Sequence, residues 1–118
     1  MTNKPKYNLF KNTKYALCGL KEMVSNERSF QIELILFIIL IPFVFLMEIE
    51  GLYRLIMFLS LVGVLIAETI NSAIERVVDL VTSQTHPLAK QAKDIGSTIV
   101  FFSICNLIII WGYFLLWI

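Results

Sequence analysis

The chain has 118 residues, a formal net charge of +1 at pH 7 and a mean hydropathy of +0.77. Its length suits one domain, and a hydrophobic share of 58% is too high for an ordinary soluble domain. The near-neutral charge gives no indication of a nucleic-acid partner, and none is expected. The two cysteines, Cys18 and Cys105, lack the spacing of a metal site or a disulfide framework.

Residues 1–29 are basic and amphipathic. They carry six Lys or Arg residues against two Glu residues. Four apolar residues recur at the helical spacings of seven, three and four: Phe10, Leu17, Leu20 and Val24. The pattern predicts a helix in the membrane interface, with its lysines toward anionic headgroups, and a solvated helix on a soluble domain is the alternative. The polar residues 26–29 predict the turn that follows this helix.

Three apolar runs follow, over residues 30–47, 52–67 and 95–118. The first has about the minimum length of a bilayer span, and the last is a clear span without a charge. The second continues without a helix breaker into a polar stretch, so we expect one helix that projects beyond the bilayer. These runs predict an all-α membrane protein with an interfacial helix and three transmembrane helices, forming one domain over residues 1–118.

The basic residues predict how the chain crosses the membrane. Of ten Lys and Arg residues, six precede the first run and three lie between the second and third. Only Arg54 lies at the other end of the spans. The positive-inside rule therefore places the N-terminus and residues 68–94 in the cytoplasm and the C-terminus outside.

A stripe of polar residues follows the second apolar run, within E-T-I-N-S-A-I-E-R-V-V-D at residues 68–79. Glu68, Asn71, Glu75 and Asp79 have spacings of three, four and four, which predict one helix face. An acidic stripe at the end of a membrane helix is unfavourable unless it binds something. Carboxylate and amide oxygens suit Mg²⁺, and Glu68, nearest the bilayer, is the candidate general base.

The stretch after the stripe predicts a phosphate site. Residues 81–87 form a loop by composition, and Pro87 predicts a new helix capped by His86 or Thr85. Lys90 and Lys93 share a face in its first turns, near the free N–H groups of the helix start. Together with the stripe, this predicts Mg²⁺-dependent phosphoryl transfer to a membrane component. The alternative is a stripe that joins helices through buried polar contacts.

The stripe resembles the signature of the prokaryotic diacylglycerol kinase family, which are small integral-membrane lipid kinases. That signature is E-x-hydrophobic-N-[ST]-A-hydrophobic-E-x-x-V-D, and every position from Glu68 to Asp79 fits it. The likeness continues without a gap from about Tyr15 to Trp111, so it covers most of the chain.

The resemblance implies a homotrimer in the bacterial inner membrane that phosphorylates 1,2-diacylglycerol with MgATP, giving phosphatidic acid at sites shared between subunits. It implies that Glu68 is the base for the lipid hydroxyl and that Glu27 and Glu75 bind the metal. It matches eight residues to the nucleotide and its phosphates: Tyr15, Asn71, Asp79, Gln84, Thr85, His86, Lys93 and Asp94. It matches five residues to the lipid: Phe30, Glu33, Glu68, Ser97 and Trp111.

The chain departs from the family pattern at a few positions. Asn8 stands where the diacylglycerol members have Arg, Gln84 and Thr85 replace Glu and Tyr, and Lys90 replaces a small residue. An undecaprenol kinase shares the signature, although residues 96–98 resemble the diacylglycerol branch. A small proton-coupled transporter and a structural membrane scaffold are the alternatives from other classes.

Overall fold

Residues 6–117, which the computed structural model describes, form four α-helices joined by short connections. The helices are α1 (Leu9–Asn26), α2 (Arg28–Leu46), α3 (Gly51–Val81) and α4 (Pro87–Leu116). Three of these, α2, α3 and α4, are long and apolar enough to cross a membrane. The predicted all-α membrane architecture is therefore confirmed, whereas the trimer and the interfacial position of α1 stay predictions. The ends of the predicted ranges 1–29 and 95–118, residues 1–5 and 118, lie outside the described residues.

Helix α1 begins at a side-chain cap. The Asn8 Oδ1 atom accepts hydrogen bonds from the backbone N–H groups of Phe10 and Lys11, at 3.0 and 3.2 Å. Asparagine is among the preferred N-cap residues because it satisfies donors that have no partner within the helix. Asn8, which departs from the family pattern, therefore has a structural role at the start of α1.

The predicted turn over residues 26–29 is wrong in extent, because only Glu27 is non-helical there. Its backbone is extended, with φ −104° and ψ 105°. The Glu27 N–H donates to the Met23 carbonyl and the Gln31 N–H donates to the Glu27 carbonyl, both at 3.0 Å. Arg28 and Ser29 belong to the first turn of α2. The chain thus changes direction between α1 and α2 at a single residue, Glu27, whose backbone is hydrogen-bonded to both helices.

Helix α3 is unbroken over 31 residues, as its sequence predicts. This length corresponds to about 46 Å at about 1.5 Å per residue, more than the roughly 30 Å hydrocarbon core of a bilayer. Helix α4 packs alongside it. Seven buried side chains from α2, α3 and α4 form one core: Phe37, Val44, Met57, Leu61, Val64, Trp111 and Phe114. This core fixes the three long helices, and the polar end of α3 extends past it.

Trp111 belongs to that core. Its indole N–H donates to the Ser60 hydroxyl at 2.9 Å and lies 3.2 Å from the Met57 carbonyl oxygen. A buried indole N–H with a partner stabilises the packing of α4 on α3. Trp111 therefore has a clear packing role in one chain, and its contact with the lipid substrate stays a prediction.

The outer surfaces of the long helices are apolar. Large side chains on α2 and α4 that stay exposed include Ile38, Ile39, Phe101, Phe102 and Ile109. Exposed apolar surface of this extent marks a membrane or a protein interface. In a protein with three candidate spans, it is the surface that lipid tails or another protein surface would cover.

Arg54 caps the last turn of α2 from the start of α3. Its Nη2 atom donates to the carbonyls of Met47 and Ile49 at 2.8 and 3.4 Å, and its Nε atom donates to the carbonyl of Val44 at 3.3 Å. The last carbonyls of a helix have no partner within it. The arginine at the far end of the spans thus closes the connection between α2 and α3.

Replacing Arg54 by Met should lower the free energy of unfolding by about 1.5–3 kcal/mol, the usual contribution of hydrogen bonds from a charged group. Equilibrium unfolding in mixed micelles, followed by tryptophan fluorescence, measures this change. Arg28→Met is the matched control, because Arg28 is exposed and forms no ion pair within residues 6–117. Equal stability of the two variants would contradict the capping role of Arg54.

Candidate active site

The polar end of α3 contacts the three other helices or their junctions. Asp79 binds Lys93 of α4, Arg76 binds Glu27 between α1 and α2, and the buried Glu68 lies against Glu33 of α2. Glu68 and Asp79, which are at the two ends of the predicted stripe, therefore meet different helices. Glu68 and the residues that follow it are the part of the molecule where all four helices converge.

Glu68 is nearly buried, with 8% of its surface exposed. Its carboxyl group lies within hydrogen-bonding reach of that of Glu33, and the buried Glu33 Oε2 atom has no hydrogen-bond partner among the described residues. An ionised carboxylate only accepts hydrogen bonds, so a hydroxyl group beside this pair of carboxyl groups could donate one. The Glu33 Oε2 atom has no such donor among the described residues.

Asn71 lies in a close approach between α3 and α4. Its Nδ2 atom donates to Glu75 Oε1 at 3.2 Å, and its buried Oδ1 atom has no partner among the described residues. A Cβ atom at Gly96 would overlap Asn71 Oδ1 and lie 3.3 Å from Asn71 Cγ. Glycine at position 96 is therefore the residue that allows the Asn71 amide to lie against α4.

The residues present fit a divalent cation in part. The Asn71 Oδ1 atom and the Glu75 carboxylate are hard oxygen donors of the kind Mg²⁺ binds, and Mg²⁺ usually takes few protein ligands beside water and phosphate oxygens. Within residues 6–117, no three His, Cys, Asp or Glu side chains lie close enough to hold a metal ion. Glu27 Oε1 accepts a hydrogen bond from Arg76, and Glu75 Oε1 accepts one from Asn71. Mg²⁺ binding by Glu27 and Glu75 stays a prediction.

An open cleft of about 370 Å³ lies between the end of α3 and the start of α4. Residues from the loop and both helices line it, including Asp79, Gln84, Thr85, His86, Lys90, Lys93 and Asp94. The His86 Nδ1 atom accepts from the Leu88 N–H at 3.1 Å, which confirms the predicted cap of α4. The ring Nε2 atom of His86 is then the one that remains for a ligand.

Two ion pairs line this cleft, one between α4 and α3 and one within α4. Lys93 Nζ lies 2.7 Å from Asp79 Oδ1, and Lys90 Nζ lies 2.6 Å from Asp94 Oδ2. Lys93 precedes the charge-free run that starts at Ile95, and hydrogen bonding to the Asp79 carboxylate raises the pKa of the Lys93 ammonium. Exposed ion pairs of this kind contribute little to stability, so a phosphate group can displace either carboxylate. The structure thus brings six of the eight predicted nucleotide residues, together with Lys90, to one cleft.

Other predicted residues lie outside this cleft. Tyr15 is exposed on α1, Ser97 is exposed on α4 next to Gly96, and Phe30 is buried at the start of α2. Two residues with specific contacts here, Arg76 and Gly96, are not among those predicted from the sequence. Arg76 stands at an open position of the signature, and a glycine within a long helix is the only sign of the close approach at Gly96.

The comparisons with known proteins agree with the predicted family. The family model for prokaryotic diacylglycerol kinase matches residues 14–115. A diacylglycerol kinase of Haemophilus influenzae is 40% identical over 104 residues, 88% of each chain, and one of Pseudomonas aeruginosa is 36% identical over 88% of this chain and 85% of the relative. An undecaprenol kinase of Bacillus subtilis is 39% identical over 85 residues, 72% of this chain and 69% of the relative. The chain therefore belongs to the prokaryotic diacylglycerol kinase family.

Proposed function

We propose that this protein phosphorylates 1,2-diacylglycerol with ATP, giving phosphatidic acid and ADP at the cytoplasmic face of the bacterial inner membrane. The observation that carries the proposal is the nearly buried Glu68, whose carboxyl group lies within hydrogen-bonding reach of that of Glu33 at the polar end of α3. It lies where the apolar part of α3 meets the polar part, which is where a lipid headgroup hydroxyl would lie if α3 spans the membrane. Family membership supplies the kinase activity that this carboxylate would serve.

In this mechanism Glu68 takes the proton of the lipid hydroxyl as the hydroxyl oxygen attacks the γ-phosphorus of ATP. The new oxygen–phosphorus bond forms while the bond from the γ-phosphorus to the bridging oxygen breaks, and ADP leaves. General base catalysis of this kind contributes about 10²–10⁴-fold. Phe30, Glu33, Ser97 and Trp111 are the residues proposed to contact the lipid.

The polar end of α3 and the start of α4 would bind the nucleotide. Lys93 and Lys90 exchange Asp79 and Asp94 for phosphate oxygens, which neutralises charge on the transferring group. Six further residues are proposed nucleotide contacts: Tyr15, Asn71, Asp79, Gln84, Thr85 and His86, with Asp94 beside them. Glu75, Asn71 and, by the family pattern, Glu27 would hold Mg²⁺, which when bound screens the phosphate charges.

We further propose that the sites are shared between the subunits of a homotrimer. Within one chain Glu27 and Glu75 bind different partners, and the long helices leave large apolar surfaces exposed. A neighbouring subunit would cover such surface and add side chains to the cleft. The distribution of basic residues supports an N-terminus in the cytoplasm and a C-terminus outside.

An undecaprenol kinase is the second candidate, because the Bacillus subtilis relative of that name is 39% identical to this chain. The match to it covers 72% of this chain, whereas the match to the Haemophilus influenzae diacylglycerol kinase covers 88%. The wider coverage favours diacylglycerol as the acceptor. Both candidate activities would phosphorylate a hydroxyl group of a membrane lipid, either at its end or in its headgroup.

Turnover of ATP in mixed micelles tests the proposal, with diacylglycerol, with undecaprenol and without added lipid. We expect ADP and phosphatidic acid to form with diacylglycerol, and little turnover with undecaprenol. The Glu68→Gln variant, prepared in the same way, measures any contaminating ATPase. Faster turnover with undecaprenol would favour the second candidate, and no turnover with any lipid would favour a transporter or a scaffold.

A further inference from the structure

The side chain of Arg76 joins the polar end of α3 to the junction between α1 and α2. Its Nη1 atom lies 2.6 Å from Glu27 Oε1 and 3.3 Å from the Ser72 carbonyl oxygen, and its Nη2 atom lies 3.4 Å from Glu22 Oε1. Glu22 Oε1 also accepts from Asn26 Nδ2 at 2.8 Å. One guanidinium group thus links residues that are 49 and 54 positions apart in the chain.

Glu27 depends on this contact for its position. It is the one non-helical residue between α1 and α2, so neither helix sets the direction of its side chain as helices set those of their own residues. The side chain of Glu27 is only 25% exposed, and the short Nη1 contact has the length of a strong charge-assisted hydrogen bond. Arg76 is therefore the residue that holds the Glu27 carboxylate against α3.

The place where Arg76 holds Glu27 adjoins the cation-binding residues proposed above. Glu75 precedes Arg76 directly in α3 and bonds Asn71, and consecutive helix residues point about 100° apart. The ion pair uses Glu27 Oε1, and no described residue donates a hydrogen bond to Oε2. The Glu27 carboxylate can therefore bind Arg76 through Oε1 and a cation through Oε2 at the same time. Arg76 would then orient a metal ligand and would not take the place of the metal.

We propose that Arg76 is a positioning residue, which fixes one oxygen of the Glu27 carboxylate at the junction of α1 and α2 and so orients the other for a divalent cation at the nucleotide site. The proposal rests on the proposed function, because that function gives Glu27 and Glu75 their role. It concerns a position that the family signature leaves open. Residues that orient a metal ligand typically change metal affinity by about 10–100-fold when they are replaced.

The test is a titration of the full-length protein with Mn²⁺, followed by electron paramagnetic resonance in detergent with a non-hydrolysable ATP analogue. Arg76→Ala should weaken Mn²⁺ binding by about 10-fold, the lower end of that range, because the pair is partly exposed. Arg76→Lys should recover part of the loss. Arg28→Ala is the matched control, since it removes the same charge next to Glu27 from a residue without an ion pair among those described, and it should bind Mn²⁺ normally.

Two further measurements separate positioning from a structural role. In a Glu27→Gln background, Arg76→Ala should have little additional effect on Mn²⁺ affinity, because the two residues act through one contact. In turnover assays, Arg76→Ala should raise the Mg²⁺ concentration for half-maximal rate by a similar factor, with kcat at saturating Mg²⁺ close to wild type. Glu22→Gln removes the negative charge from the longer contact of Arg76 and leaves the contact with Glu27 unchanged. It should keep the wild-type affinity, and it provides a second test if Arg76→Ala misfolds.

Several outcomes would overturn the proposal. They are Mn²⁺ binding by Arg76→Ala as tight as or tighter than wild type, additive effects with Glu27→Gln, and no Mn²⁺ binding by the wild-type protein. A Glu22→Gln variant with the full loss of affinity would also overturn it. An absence of kinase turnover with every lipid would reject the proposed function. The Mn²⁺ titration needs no lipid, so it tests the role of Arg76 independently of that result.

Discussion

Glu68→Gln should lower turnover by a factor of about 10²–10⁴, the usual contribution of a general base, while MgATP still binds. Glutamine keeps the size of the side chain and a hydrogen-bonding carbonyl but cannot accept the proton of the lipid hydroxyl. Glu68 is nearly buried against Glu33 and away from the cleft that holds Lys93. Its replacement therefore removes the base without removing the groups proposed to bind phosphate. Glu68→Ala should behave in the same way.

The measurement pairs turnover in mixed micelles with the affinity for a fluorescent ATP analogue in the presence of Mg²⁺. Glu75→Ala is the contrasting variant, and it should weaken metal-dependent nucleotide binding because it removes an oxygen donor beside Asn71. Glu50→Gln serves as the control, because Glu50 is exposed at the opposite end of α3 and its side chain makes no cap hydrogen bond. Turnover near the wild-type rate in Glu68→Gln would show that another group is the base.

Gly96→Ala should lower both stability and turnover. The new Cβ atom would overlap Asn71 Oδ1 and lie 3.6 Å from Ile74 Cδ1, so either the Asn71 amide must move or α3 must shift from α4. Overpacking of this kind destabilises a protein by about 1–3 kcal/mol. Displacement of a positioned group by about 1 Å can reduce the rate by about 10²-fold, and Asn71 also loses its bond to Glu75.

Gly112→Ala is the matched control for that variant, since it lies on the same helix and its added Cβ atom meets nothing within 4 Å. It should keep turnover and leave stability unchanged or raise it by up to about 1 kcal/mol. The double variant Asn71→Ala/Gly96→Ala should be more stable than Gly96→Ala alone, because the overlap is gone. Equal stability and turnover of Gly96→Ala and Gly112→Ala would show that Gly96 is not needed for the close approach.

The sequence predicts the helices well because their signals are local. The helical spacing from Glu68 to Asp79 follows an apolar run without a breaker, so the continuity of α3 is expected. Pro87 after a polar loop predicts the start of α4 and its cap. The junction at Glu27 is narrower than predicted because Asn26 and Arg28 are compatible with helix on either side, and composition alone cannot locate a single extended residue.

The candidate site is less predictable because its contacts join distant parts of the chain. Spacing places Glu68, Asn71 and Glu75 on one helix, but it does not say which neighbours each meets. Gly96 beside Asn71 and Glu27 beside Arg76 depend on how α3 packs against α4 and α1. These contacts are set by tertiary packing, and no pattern within a helix encodes them.

The unbroken course of α3 also limits how this active site can change. Most enzymes vary their specificity by lengthening or shortening loops, which leaves the supporting framework in place. Here one inserted residue between Ala67 and Glu68 would rotate everything beyond it by about 100° and advance it by about 1.5 Å. Glu68, Asn71 and Arg76 would then lose their partners together. In this scaffold the preference for an acceptor lipid can therefore be altered by exchanging side chains, but not by changing the length of the segment that carries them.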